Sequence, residues 1–116
     1  GYASVANVVV TAAPAAPTNL VVTVIKQGGG QTPYNANLTW NWTGSGTLTG
    51  FTIQRSTSLD FSTDLATATA GATARSLTQT RQLAANTVYY FRIRANNGAG
   101  SSAWSNALPF PIRTGN

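Results

Sequence analysis

Leu83-Ala84-Ala85-Asn86-Thr87-Val88-Tyr89-Tyr90-Phe91-Arg92-Ile93-Arg94-Ala95-Asn96-Asn97-Gly98-Ala99-Gly100 is the stretch that decides how this chain folds. Tyr89, Phe91, Ile93 and Ala95 alternate with Tyr90, Arg92 and Arg94. That period of two is what a β-strand needs when one face enters a core and the other meets water. The Asn/Gly-rich run from Asn96 to Gly100 then ends the strand in a turn, because these residues accept backbone conformations that others resist. Earlier segments repeat the pattern. Leu20, Val22 and Val24 share one face of a first strand, and Gly28-Gly29-Gly30 turns the chain into a second. There Leu38, Trp40 and Trp42 alternate with Asn37, Thr39, Asn41 and Thr43. After Gly44-Ser45-Gly46, Phe51 and Ile53 point inward from a third strand whose Thr52 and Gln54 face out. Asp60-Phe61 and Leu65 are expected to form a short crossing strand. One more strand is expected between Thr67 and Gln82, where Leu77 is the only large aliphatic residue. No segment carries a helical period, so the chain reads as an all-β, two-sheet sandwich centred on Trp40.

The 116 residues suffice for one core and are too few for two. There is no cysteine, which excludes disulfides and thiolate metal sites and leaves stability to packed apolar side chains. Only 8% of residues are charged. Thr, Ala, Asn, Ser and Gly fill the surface instead, as in secreted bacterial β-domains, so an extracellular or cell-surface location in a bacterium is expected. No apolar run is long enough to span a bilayer, and membrane insertion is not expected. No Lys/Arg-led apolar segment opens the chain, so any export signal is expected to lie outside these residues. The net charge of +5 arises from Lys26 and six arginines set against Asp60 and Asp64. Those cations are scattered along the sequence rather than clustered, and nucleic acid is not an expected partner.

Chemistry is sparsely provided. The chain has no His, Cys or Glu, and Asp60 and Asp64 are its only side-chain carboxylates. Acid–base catalysis needs two groups with opposed roles, and a serine nucleophile would lack its usual imidazole. No catalytic residue, cofactor or metal is therefore expected. Asp60 and Asp64, with Ser58 or Thr63, make a weak calcium candidate, because Asp, Ser and Thr in a loop more often bond their own backbone.

The segment from Leu83 to Tyr89 resembles the corner of a fibronectin type III domain, in which Leu is followed four residues on by Thr and six residues on by Tyr. Thr87 and Tyr89 stand at those positions. Ala85 and Asn86 replace the Pro and Gly often found there, and Asn tolerates the left-handed conformation that Gly supplies. Ala95, Asn97, Gly100, Ser102 and Ser105 match the family's last hairpin, and Pro17, Leu20, Leu38, Trp40, Phe51 and Ile53 its earlier positions. The resemblance covers about residues 15 to 110. It implies a seven-stranded, antiparallel, immunoglobulin-like sandwich in which the Tyr89 hydroxyl bonds upstream backbone, with Trp40, Leu83, Phe91 and Ile93 in the core. Ser101-Ser102-Ala103-Trp104-Ser105 is similar to the Trp-Ser-x-Trp-Ser box of cytokine receptors without its first Trp. By that likeness Arg92 or Arg94 stacks on Trp104. The Asn96 to Gly100 turn lacks the Arg-Gly-Asp tripeptide that some relatives carry there.

Gly1 to Asn7 resembles Gly100 to Asn106 at an offset of 99 residues, about one domain of this family. Residues 1–14 are thus read as the last strand of a preceding repeat plus a stiff Pro/Ala linker, or as an exchanged strand. The domain proper is read as residues 15–112, followed by a tail at 113–116. Val8, Val9, Val10, Trp42 and Asn97 are candidate interaction residues. The expected function is a non-catalytic spacer or interaction module of a secreted or surface multidomain protein, contacting neighbouring domains or copies of itself. Two alternatives stand beside it: a filament subunit that exchanges residues 1–13, and an accessory module that stacks polysaccharide on Trp42 or Trp104. Asn37 and Asn41 sit in N-glycosylation patterns.

Overall fold

A computed structural model describes residues 12–116. Val8, Val9 and Val10 lie outside the described residues. Two antiparallel sheets face each other. The first has the order β1 (Thr18–Lys26), β2 (Tyr34–Asn41), β5 (Ser76–Leu83). In the second, β4 (Ala66–Ala70) lies beside β3 (Gly50–Ser56), and β3 beside β6 (Val88–Asn97). Three short pieces, β7 (Gly100–Ser101), β8 (Ser105–Asn106) and β9 (Ile112–Arg113), all pair with β6 and together form the seventh strand of the sandwich.

The register follows the side chains. In β6 every second residue from Tyr89 to Ala95 is buried, and Ile93 pairs with Ile53 of β3. In β2 the buried set is Tyr34, Ala36, Leu38 and Trp40. A one-residue slip would turn either set into water, which pins the pairing. Trp40 is only 2% exposed and meets Phe51 across the sheets, edge to face at 5.5 Å. Leu20, Val22, Leu83 and Phe91 complete the centre.

Two expectations need correction. The stretch Asp60 to Leu65 is a turn rather than a crossing strand, since its hydroxyls and carboxylate satisfy the backbone locally. Ser58 Oγ accepts from the Ser62 and Thr63 amides at 3.1 and 3.0 Å, and Asp60 Oδ1 accepts from the Ser62 amide at 3.2 Å. Between Thr67 and Gln82 there are two strands, β4 and β5. The chain turns at Gly71–Ala74, where the Ala74 amide bonds the Gly71 carbonyl. The sequence does not mark the break, because the alanines of β4 are only half-buried and give no hydrophobic contrast. In the segment 113–116, Arg113 pairs with Val88 and Thr114 is 1% exposed. Thr114 Oγ1 donates to the Ala84 carbonyl at 2.6 Å and accepts from the Thr87 amide at 3.0 Å, so its hydroxyl can be buried without loss.

Candidate functional site

At the corner between β5 and β6 the Tyr89 hydroxyl accepts a hydrogen bond from the Ala84 amide at 2.8 Å. Asn86 adopts φ 54°, and its amide donates to the Gly115 carbonyl at 2.8 Å. Leu83 is fully buried beneath. The corner is thereby tied to the C-terminal strand as well as to itself.

The outer face of the β4-β3-β6 sheet carries a ladder of cations and aromatic rings. Strand periodicity places Arg92 and Arg94 on the side opposite Phe91 and Ile93. Trp104, between β7 and β8, lies against both guanidinium groups, 4.2 Å from Arg92 and 4.4 Å from Arg94 to the ring centre. Arg92 also lies 4.0 Å from the Phe61 ring, so it is held between two aromatics. Phe61 stacks with Phe110 at 6.4 Å, and Tyr90 meets Phe110 edge-on at 5.0 Å. Arg92 Nε and Nη2 both donate to Gln54 Oε1, at 3.0 and 2.7 Å, which fixes the guanidinium plane. Desolvation by this packing, then the like charge of Arg94, lowers the Arg92 pKa, yet an arginine stays protonated at any physiological pH.

Phe61 and Phe110 are the members of the ladder that sequence reasoning missed. Phe61 comes from the turn over residues 57–64, with φ 58°, and Phe110 lies on the outer face beside Tyr90. A lone Phe inside the Ser/Thr/Asp run from 57 to 64 was the available signal.

Trp42 and Asn97 each hold the segment 12–15 at one pole of the sandwich. Trp42 Nε1 donates to the Ala15 carbonyl at 2.8 Å, and Asn97 Nδ2 to the Ala12 carbonyl at 2.9 Å. Asn97 Oδ1 meanwhile accepts from the Ala99 and Gly100 amides within its own turn. Arg75 lies 6.0 Å from the Trp42 ring. Both tryptophans proposed to stack on sugar thus already have guanidinium neighbours.

Three further cations are also engaged with the fold. Arg55 donates to Gln79 and Gln82 of β5, and burial lowers its pKa. Arg81 reaches the Gly29 carbonyl, and Lys26 the Asn116 carbonyl. Asp60 accepts from the Ser62 hydroxyl at 2.6 Å and Asp64 from the Thr57 hydroxyl at 3.2 Å. The hydroxyl bonds from Ser62 and Ser58 hold the Asp60 pKa below its ordinary value. Among the described residues, no group of three or more His, Cys, Asp or Glu side chains is placed to hold a metal. Nor is any helix among them long and apolar enough to cross a membrane.

A family model described as the fibronectin type III domain matches residues 15–110. The chain belongs to the fibronectin type III family. Solved structures agree on that fold. The fibronectin type III sandwich here superposes on a structure titled "Myokine structure" with a TM-score of 0.65 at 22% identity, covering 90% of this chain and 100% of the other. A redesigned β-sandwich protein gives a TM-score of 0.65 at 30% identity, covering 86% and 89%. The FN1–FN3 domains of chicken CNTN1 give 0.68 at 20% identity, covering 86% of this chain and 32% of theirs. No curated protein sequence matches the chain.

Proposed function

We propose that this fibronectin type III domain is a non-catalytic spacer and protein-interaction module of a secreted or surface-attached multidomain protein. One observation carries the reading: the two ends of the described residues lie at opposite poles, and both are held. Residues 12–15 are bonded to Trp42 and Asn97 at one pole. Asn116 is bonded to Lys26 and Tyr34 at the other, a full β1 strand away. A module with docked, opposed ends transmits direction from one neighbour to the next, and the Pro/Ala linker adds stiffness. Recognition in such a module falls to exposed strand edges, loops and the arginine–aromatic face, with no acid–base pair to do chemistry.

Small-angle scattering on two head-to-tail repeats of residues 12–116 tests this. An elongated particle about twice the length of one copy is expected, with an unchanged melting temperature. A folded-back particle of single-copy length would refute the spacer reading. Deleting residues 1–13 separates it from strand exchange, since a linker remnant leaves the oligomeric state unaltered.

A further inference from the structure

The two sheets present four outer edges, and three of them are obstructed. The outer side of β1 is occupied over Leu20 to Val22, because the Val22 amide bonds the Leu108 carbonyl and the Leu108 amide bonds the Leu20 carbonyl, and Lys26 puts a charge at the far end of the strand. In β5, Arg81 takes φ 53° and the register with β2 shifts, so that edge is bent. The seventh strand is broken into three two-residue pieces, with Pro109 and Pro111 between the last two. Such irregularities, with charge and proline, are how proteins keep an exposed edge from recruiting another strand.

β4 has none of them. It pairs with β3 through five consecutive residues without a shift, and among the described residues nothing pairs with its other side. It carries neither charge nor proline.

Its sequence also reads the same in both directions: Ala66-Thr67-Ala68-Thr69-Ala70. An antiparallel pair of such strands related by a twofold axis at Ala68 sets Ala66 opposite Ala70 and Thr67 opposite Thr69. Like residues then meet on each face, and Thr–Thr pairs are among the cross-strand pairs that stabilise a sheet. A twofold contact must be self-complementary, and a palindrome meets that condition at every position. The flanks fit as well. The same register puts Leu65, 47% exposed, opposite Gly71, beside which the space is open for 4 Å. A cavity of about 330 Å³ lies at that end, lined by Gly50, Phe51, Thr69, Ala70, Gly71 and Asn96.

We propose that β4 is a self-association edge, through which a second copy of this chain joins the two outer sheets into one continuous sheet. The inference deepens the interaction half of the proposed function by naming the partner. A contact of one short strand pair is below the size of permanent interfaces, so the dimer is a weak, reversible one.

Sedimentation equilibrium on the full chain, up to about 1 mM, tests it in three proteins. The unaltered chain is expected to self-associate. T67K/T69K sets like charges opposite each other on an exposed face and should weaken association about tenfold or more. T67K/T69E sets opposite charges across the same axis and should restore it to within about threefold. A strictly monomeric unaltered chain, a dimer indifferent to T67K/T69K, or a failure of T67K/T69E to restore it overturns the proposal. Amide exchange of the unaltered chain is a second measurement: residues 66–70 should gain protection at high concentration, and unchanged protection counts against the edge. The scattering experiment on tandem repeats reads the spacer function separately, so one proposal can fail while the other stands.

Discussion

Changing Tyr89 to Phe removes one oxygen atom and leaves the ring where it is. The ring is 8% exposed and sits 6.5 Å from Phe91, contacts that phenylalanine keeps. What disappears is the acceptor for the Ala84 amide at 2.8 Å. A net hydrogen bond contributes about 0.5–1.5 kcal/mol, and a stranded buried donor adds a penalty of about 1–3 kcal/mol. Ala84 is half-buried, so the donor is only partly cut off from water, and a total near 1.5 kcal/mol is expected. For a chain of 116 residues, an unfolding entropy of about 2.1 cal/mol/K per residue converts that into a melting temperature lowered by about 6 °C. Tyr34→Phe is the matched control. Its hydroxyl reaches only the terminal Asn116 carbonyl at 3.3 Å, and a loss under about 0.5 kcal/mol is expected. Thermal unfolding by calorimetry, with exchange of the Ala84 amide as a local readout, decides the matter. Equal shifts in the two variants, or an Ala84 amide as protected as before, would refute the claim that this bond pins the corner.

A double-mutant cycle of Trp104→Ala and Arg94→Ala should return a coupling of about 0.5–1 kcal/mol; a coupling indistinguishable from zero would mean that the ladder is proximity without attraction. Gly50→Ala should destabilise by about 2 kcal/mol, because the new methyl would stand 2.6 Å from the Ala70 carbonyl on β4. In Gly71→Ala, where the space is open, a change within about 0.5 kcal/mol is expected, and equal losses would exclude the clash as the cause. The Asp60 pKa is lowered in the folded state, so its contribution to stability is present above the unfolded pKa and lost as pH falls through the folded one. Carboxyl titration by NMR should find Asp60 below its ordinary value of 3.8 and returning toward it in Ser62→Ala. No movement on removing that hydroxyl would show that the Ser62 bond is not the cause.

From the residues alone, β6 was readable down to single side chains. Its large apolar and charged residues alternate so sharply that only one face can be buried, and the same holds for Trp40 in β2 and Phe51 in β3. Burial is a property of residue type and spacing, which the chain carries locally. β4 was not readable for the opposite reason, since alanine and threonine differ too little in hydrophobicity to mark a face. The turn over Thr57–Asp64 is stabilised by its own hydroxyls, a competition between side chain and backbone that composition does not resolve.

The ladder and the corner divide along the same line. Arg92 and Arg94 on β6 and Trp104 just before β8 lie close in sequence, so their meeting could be argued from the pairing of β6 with the strand that follows it. Phe61 over Arg92, Thr114 beneath the Ala84 carbonyl and the docking of residues 12–15 on Trp42 and Asn97 are contacts between segments 27 to 85 residues apart. Only the packing of the sheets and the path of the last strand brings them together. Which edges stay open is likewise a property of the assembled sandwich: Leu108 covers part of one, a bend in β5 spoils a second and the broken seventh strand a third. The self-matching sequence of β4 therefore acquires meaning only after the fold has left it uncovered.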